Sequence, residues 1–144
     1  MLFLSFLIFL VGFSLVGWTG WQYVRIVDLK KDRINSTDFC KLYNKFVLWE
    51  YGIQATFAFC CLAKGYYLSF LLNVGLGAFH ANKYMNNNYL LDDTTVWNFG
   101  VLETHSKNIY LKGGMYLALA LLGSWSFAQE LLHAIFIAIF YRFN

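Results

Sequence analysis

The fold class this sequence predicts is an all-α membrane protein of four transmembrane helices, the middle two a short hairpin, with both termini luminal, on the non-cytoplasmic side. Three observations predict it. Of the 144 residues 59% are apolar and only 13% charged, where a soluble domain carries about a quarter. Several long stretches have no charge at all, and the basic residues gather in two segments that separate them. The whole chain, 1–144, reads as one membrane domain.

The first element is residues 2–24, LFLSFLIFLVGFSLVGWTGWQYV, uncharged throughout. At about 1.5 Å per residue it exceeds the roughly 30 Å hydrocarbon core. No basic residue precedes it, it is too long for a signal-peptide core, and it ends in Trp18, Trp21 and Tyr23 instead of a small-residue cleavage site. It therefore reads as a retained anchor. The aromatic cluster suits a membrane interface, and Arg25 marks the exit from lipid.

The second and third elements are 46–63 and 65–81, divided by the single charge of Lys64. One long helix or a tight hairpin accommodates the two runs. Lys64-Gly65 favours the hairpin, since glycine after a helix tolerates the left-handed geometry of a stop. Glu50 then lies within a turn of the interface. The fourth element is 110–130, with a membrane span from Lys112 to about Gln129. Residues 131–143 form a helical extension that passes beyond the membrane or lies in its interface.

Charge orders these elements across the membrane. Arg25, Lys30, Lys31, Arg33, Lys41 and Lys45 fall between the first two runs, and Lys83, Lys107 and Lys112 before the last, which makes nine of the 11 basic residues. A hairpin puts both segments on one side, which the positive-inside tendency makes cytoplasmic. The count is the same for a spanning and a re-entrant hairpin, because both return the chain to the same face.

NKYMNNNYLLDDTTVW, 82–97, opens the second cytoplasmic loop, where the chain leaves lipid and satisfies its backbone in water. Asp93 or Thr94 is placed to cap a short following helix, with Leu90 and Leu91 folding back on the membrane surface. The stretch VWNFGVL reads as an exposed hydrophobic patch for a partner.

These loops resemble the cornichon family, small four-helix proteins that act as cargo receptors in the endoplasmic reticulum. In the second loop the match rests on Asn82, Tyr84, Leu90, Leu91, Asp92 and Thr94. In the first, DLKKDRINSTDFCKLYNKFVLWE is similar to the family pattern at Asp28, Leu29, Asp32, Ile34, Asn35, Cys40, Asn44 and Glu50. GYYLSFLLN, 65–73, resembles the family's third segment, so the likeness runs from 28 to about 118. Ser36 and Trp49 stand where the family usually has prolines, and the chain has none. VWNFG, including Val96 and Trp97, replaces the coat-engaging motif of yeast-type members and lacks its basic residue.

The resemblance implies a receptor that binds transmembrane client proteins within the lipid bilayer and the COPII vesicle coat through its loops, in the endoplasmic reticulum membrane and early Golgi. Helices in lipid associate through close packing and interhelical hydrogen bonds, so Gln54, Asn73, Ser126, Gln129 and Glu130 are candidate intramembrane contacts. Each has an alternative in pairing within the bundle, and Glu130 needs a partner, water or a proton. A second class is an auxiliary subunit of a receptor channel, as in animal members. A third is a fixed structural subunit of a larger membrane complex, supported by the altered coat motif and the extension 131–144.

No nucleic-acid partner, cofactor, metal or catalytic residue is assigned. Glu130 and His133 have Glu-x-x-His spacing, but a di-iron bundle needs a second such pair and two further carboxylates. Cys60 and Cys61 are adjacent, not CxxC, and read as packing residues. His80 and His105 have no ligand set around them. Asn35-Ser36-Thr37 satisfies a glycosylation sequon that this orientation keeps in the cytosol, unmodified.

Overall fold

The computed structural model describes residues 2–143 as four helices: α1 Leu2–Lys30, α2 Ser36–Ala63, α3 Tyr67–Met85 and α4 Phe99–Phe143. They run up and down in sequence order. α1 lies along α4 over the longest surface, α2 packs on α3 and on α1, and the α3–α4 contact is the slimmest. Among the described residues α1, α2 and α4 are long and apolar enough to cross a membrane. The 19 residues of α3 extend about 28 Å, but Asn73, His80, Asn82 and Lys83 dilute their hydropathy.

The helices mesh through a seven-residue rhythm. On α1 the buried positions are Ser5, Ile8, Gly12, Leu15, Thr19, Gln22, Ile26 and Leu29, spaced alternately three and four apart. On α2 the series continues through Tyr43, Val47, Glu50, Gln54, Phe57 and Cys61. A 3.5-residue period keeps one seam facing its neighbours in a left-handed bundle. Small residues bring α1 and α4 close: a Cβ placed on Gly12 would stand 3.2 Å from the Ala120 Cα. No two glycines lie four apart, yet Gly12 and Gly123 perform the same service on opposite helices.

Three helices end in one way. After α1, Arg33 N donates to Asp28 O and Asp32 N to Leu29 O, with Asp32 at φ 54°. After α2, Tyr66 N donates to Cys61 O and Gly65 N to Leu62 O, with Gly65 at φ +76°. After α3, Asn88 N donates to Lys83 O and Asn87 N to Tyr84 O, with Asn87 at φ 54°. This is the Schellman stop, a left-handed residue satisfying the last carbonyls. Gly65 thus ends α2 as the sequence predicts.

Other boundaries differ from expectation. α1 continues six residues past 24, and α2 begins at Ser36, not 46. Asn35 caps α2, its Oδ1 accepting from Thr37 N at 3.0 Å. A capped start with Asp38 in the first turn carries the helix through the charged stretch that hydropathy assigns to loop. α4 starts at Phe99, eleven residues early, and runs unbroken to Phe143, since neither glycine nor proline interrupts it after Gly123.

Candidate functional site

Two polar arrangements stand out, one in the middle of the bundle and one at its basic end. In the middle Glu50 is 3% exposed. Its Oε2 accepts from Trp18 Nε1 at 2.8 Å, Gln22 Nε2 at 3.1 Å and Lys112 Nζ at 3.1 Å. Oε1 accepts from Lys112 Nζ at 2.8 Å and from the Tyr116 hydroxyl at 3.2 Å. Lys112 Nζ also donates to Gln22 Oε1 at 2.7 Å, and His80 Nε2 stands 3.2 Å from the Tyr116 hydroxyl. α1 and α4 meet on the α2 carboxylate, and α3 joins the network one step out, through His80 on the Tyr116 hydroxyl. A buried ion pair is tolerated only when its remaining lone pairs and protons are also satisfied, and here they are.

Sequence reasoning missed most of this set. Lys112 is not a loop residue but 4% exposed, so it leaves the count of loop charges. Trp18, Gln22, His80 and Tyr116 carried no motif. The signal in the sequence was polar residues at heptad spacing inside apolar runs, Thr19 with Gln22 and Asn73 with His80.

At the basic end the two loop motifs clasp each other. Asn44 Nδ2 donates to Leu91 O and Asn44 Oδ1 accepts from Leu91 N, both at 2.8 Å, so one amide side chain pairs the loop backbone as a neighbouring strand would. The Thr37 hydroxyl donates to Asp93 Oδ2 at 3.0 Å. Asp92, not Asp93 or Thr94, closes the turn: its Oδ1 accepts from Thr94 N at 3.0 Å and from the Thr94 hydroxyl at 2.8 Å. Those bonds, the backbone one foremost, hold the Asp92 carboxyl below the usual range. The chain then makes a single turn, and α4 begins only after it.

Beneath the loop Ile26, Leu29, Phe39, Cys40, Val96, Leu102 and Ile109 form a core cluster, with Ile34 and Leu91 against it. Val96 is therefore no docking residue; it is fully buried, and Leu102 nearly so. Leu90 at 48%, Trp97 at 46%, Phe99 at 81% and Val101 at 39% are apolar side chains left outside. The first-loop residues acquire physical roles. Leu29 and Cys40 fill the cluster, Asp32 takes the left-handed stop, Asn35 caps α2, Asn44 clasps Leu91, and Asp28 stands 3.8 Å from Arg33.

The intramembrane candidates divide. Gln54 and Asn73 are buried, with Gln54 Nε2 donating to Asn73 O at 3.1 Å, so they join α2 to α3 instead of facing lipid. The Ser126 hydroxyl returns to Leu122 O on its own helix at 2.9 Å. Glu130 pairs with Lys64 and accepts from the Tyr66 hydroxyl at 3.2 Å, and Tyr66 shares a hydrogen bond with Ser5. Gln129 alone of the five is exposed.

The family model of the cornichon proteins matches residues 1–123. The chain belongs to the cornichon family. Among relatives, the ER-derived vesicles protein ERV15 of Saccharomyces cerevisiae is 38% identical over 90 residues, 62% of this chain and 62% of its own length. An uncharacterized Schizosaccharomyces pombe protein is 38% identical over 85 residues, 59% of this chain and 62% of its own. Protein cornichon homolog 2 of Oryza sativa is 30% identical over 105 residues, 73% of this chain and 69% of its own. The aligned part thus spans under two thirds of the first two relatives. The Glu50 network and the clasped loops lie wholly inside the cornichon match, whereas Ser126, Gln129, Glu130 and the rest of α4 lie beyond it.

Proposed function

We propose that this cornichon protein is a cargo receptor of the early secretory pathway, resident in the endoplasmic reticulum and early Golgi membrane, which contacts client helices in the bilayer and the COPII coat from its loops. The observation that carries the reading is the clasp of Asn44 on Leu91. It locks two separate family motifs into one rigid surface and leaves Leu90, Trp97 and Phe99 outside. Exposed apolar side chains on a hydrogen-bonded frame suit a partner site. The name of the yeast relative, an ER-derived vesicles protein, points the same way.

In this reading the chain crosses four times with both termini luminal. Without Lys112 the basic bias persists, eight residues at the loop end against Lys64 and Arg142 at the other. Of the intramembrane candidates, exposed Gln129 is the one left to a client. The test pairs Leu90→Ala with Trp97→Ala in one chain and follows client export. The expected result is an inserted, folded protein whose clients accumulate in the endoplasmic reticulum; normal client traffic refutes the proposal.

One observation favours a second reading, a fixed subunit of a larger membrane complex. α4 continues past the family match with Leu131, Leu132, Ile135, Phe136, Ile139 and Phe140 all exposed. Under that reading, deleting 131–144 releases the chain from one constant set of co-purifying proteins.

A further inference from the structure

Three cavities follow one another along the furrow between α1 and α2, the first two sharing lining residues and the third separate from them. The largest, about 610 Å³, lies against Gly52, Ile53 and Phe57; a second, about 150 Å³, shares Trp49 and Ile53 with it and reaches Trp18 and Phe46. The third, about 330 Å³, opens one turn further down, between Trp21, Arg25, Asp38 and Leu42. On α2 the lining positions are 42, 46, 49, 53, 56 and 60, a continuous stripe of three- and four-residue steps. Positions 25, 21, 18, 14, 11 and 7 face them on α1. From Arg25 to Leu7 the furrow runs about 27 Å along the helix, close to the thickness of the hydrocarbon core.

Its polarity is graded from end to end. The stretch from Trp18 to Leu7 is lined mostly by apolar side chains, with Ser14, Glu50 and Thr56 the polar exceptions and Gly52 leaving open space where a Cβ would stand. The lower end sits at the depth of the Trp18 and Trp21 belt, where α1 leaves lipid. There the Arg25 guanidinium lies 5.5 Å over the Trp21 ring, and among the described residues no carboxylate is within ion-pair distance of it. Asp38 lines the same cavity. A cavity with one cation, one carboxylate and an indole face at interface depth, continued by a narrow apolar slot, has the shape and polarity of an amphiphile.

We infer that the α1–α2 furrow is a binding site for one zwitterionic glycerophospholipid of the leaflet on the loop side. Its phosphate pairs with Arg25, its ammonium group with Asp38 and the Trp21 face, and one acyl chain enters the slot toward Gly52. The charge pattern selects the headgroup. A net-anionic lipid brings a second negative group against Asp38, whereas phosphocholine and phosphoethanolamine place opposite charges on both residues. A partner helix fits less well, because at roughly 10 Å across it spans the lips of a slot between two touching helices instead of entering it. The inference rests on the membrane setting of α1 and α2 and not on client binding.

The test uses the full chain, delipidated in detergent and titrated with dioleoyl phosphatidylcholine or dioleoyl phosphatidylserine, with bound lipid counted by native mass spectrometry. One phosphatidylcholine retained about tenfold more tightly than phosphatidylserine is expected, the worth of one charge-assisted contact. Arg25→Gln and Gly52→Phe should each lower phosphatidylcholine retention about tenfold, one by losing the phosphate contact and one by plugging the slot. Asp38→Asn is the variant that gains: phosphatidylserine should rise to match phosphatidylcholine. Equal retention of the two lipids by the unaltered chain overturns the proposal. So does a Gly52→Phe chain that keeps its lipid but loses co-purifying membrane clients, the outcome expected if a client helix fills the furrow.

Discussion

The molecule holds two acid–base pairs built to different standards. Glu50 and Lys112 are both buried and collect donors from Trp18, Gln22 and Tyr116, so each charge has a complete set of partners. Lys64 is equally buried on its side chain, but Glu130 is 28% exposed, and its Oε2, itself covered, has no hydrogen-bond partner among the described residues. The first pair joins elements inside the family match; the second ties the α2–α3 turn to a part of α4 outside it. The difference separates a pair that specifies how four helices assemble from one that pins a turn to a helix already placed. A charge deep in the bundle has no recourse to water, whereas one at the end does.

Breaking the central pair should give the largest effect. Lys112→Met leaves Glu50 as a buried charge without its cation and should destabilise the fold by about 3–5 kcal/mol. Thermal unfolding in detergent, followed by size-exclusion fluorescence, reads this directly. The double change Lys112→Met with Glu50→Gln should recover most of the loss, since an apolar and neutral pair removes the stranded charge. A double variant as unstable as the single one contradicts the idea that charge is the cause.

The end pair should matter less. Lys64→Met strands a carboxylate that keeps the Tyr66 hydroxyl and sits on a side chain still 28% exposed, so a loss of about 1–2 kcal/mol is expected in the same assay. Equal losses at the two sites would erase the distinction between them.

The smallest effect belongs to a third carboxylate that lives entirely in solvent. Asp92 is held ionised by Thr94 N and the Thr94 hydroxyl, so its titration sits below the ordinary carboxylate range. Its contribution to the turn is complete above about pH 4 and fades as pH falls through the lowered value. The Thr94 amide resonance should follow that titration, and Asp92→Asn should abolish the pH dependence while leaving the fold unchanged at neutral pH.

The sequence by itself determined the membrane class, the apolar runs, the stop at Gly65 and the resemblance in both loops, because these depend on composition or on neighbours a few residues apart. It also contained the capping signal of Asn35 and the left-handed stops at Asp32 and Asn87, each a local matter of short side chains and backbone. What only the tertiary structure decided is which polar side chains face one another. Glu50 meets Lys112 across 62 positions and Asn44 meets Leu91 across 47, and hydropathy puts Lys112 in a loop and Val96 on the surface. The helix phase set by the seven-residue seam turns Lys112 inward, while the turn after Asp92, with Val96 N donating to Asp92 O, sets Val96 on the core cluster beneath it, and both placements become visible only when the four helices are packed together.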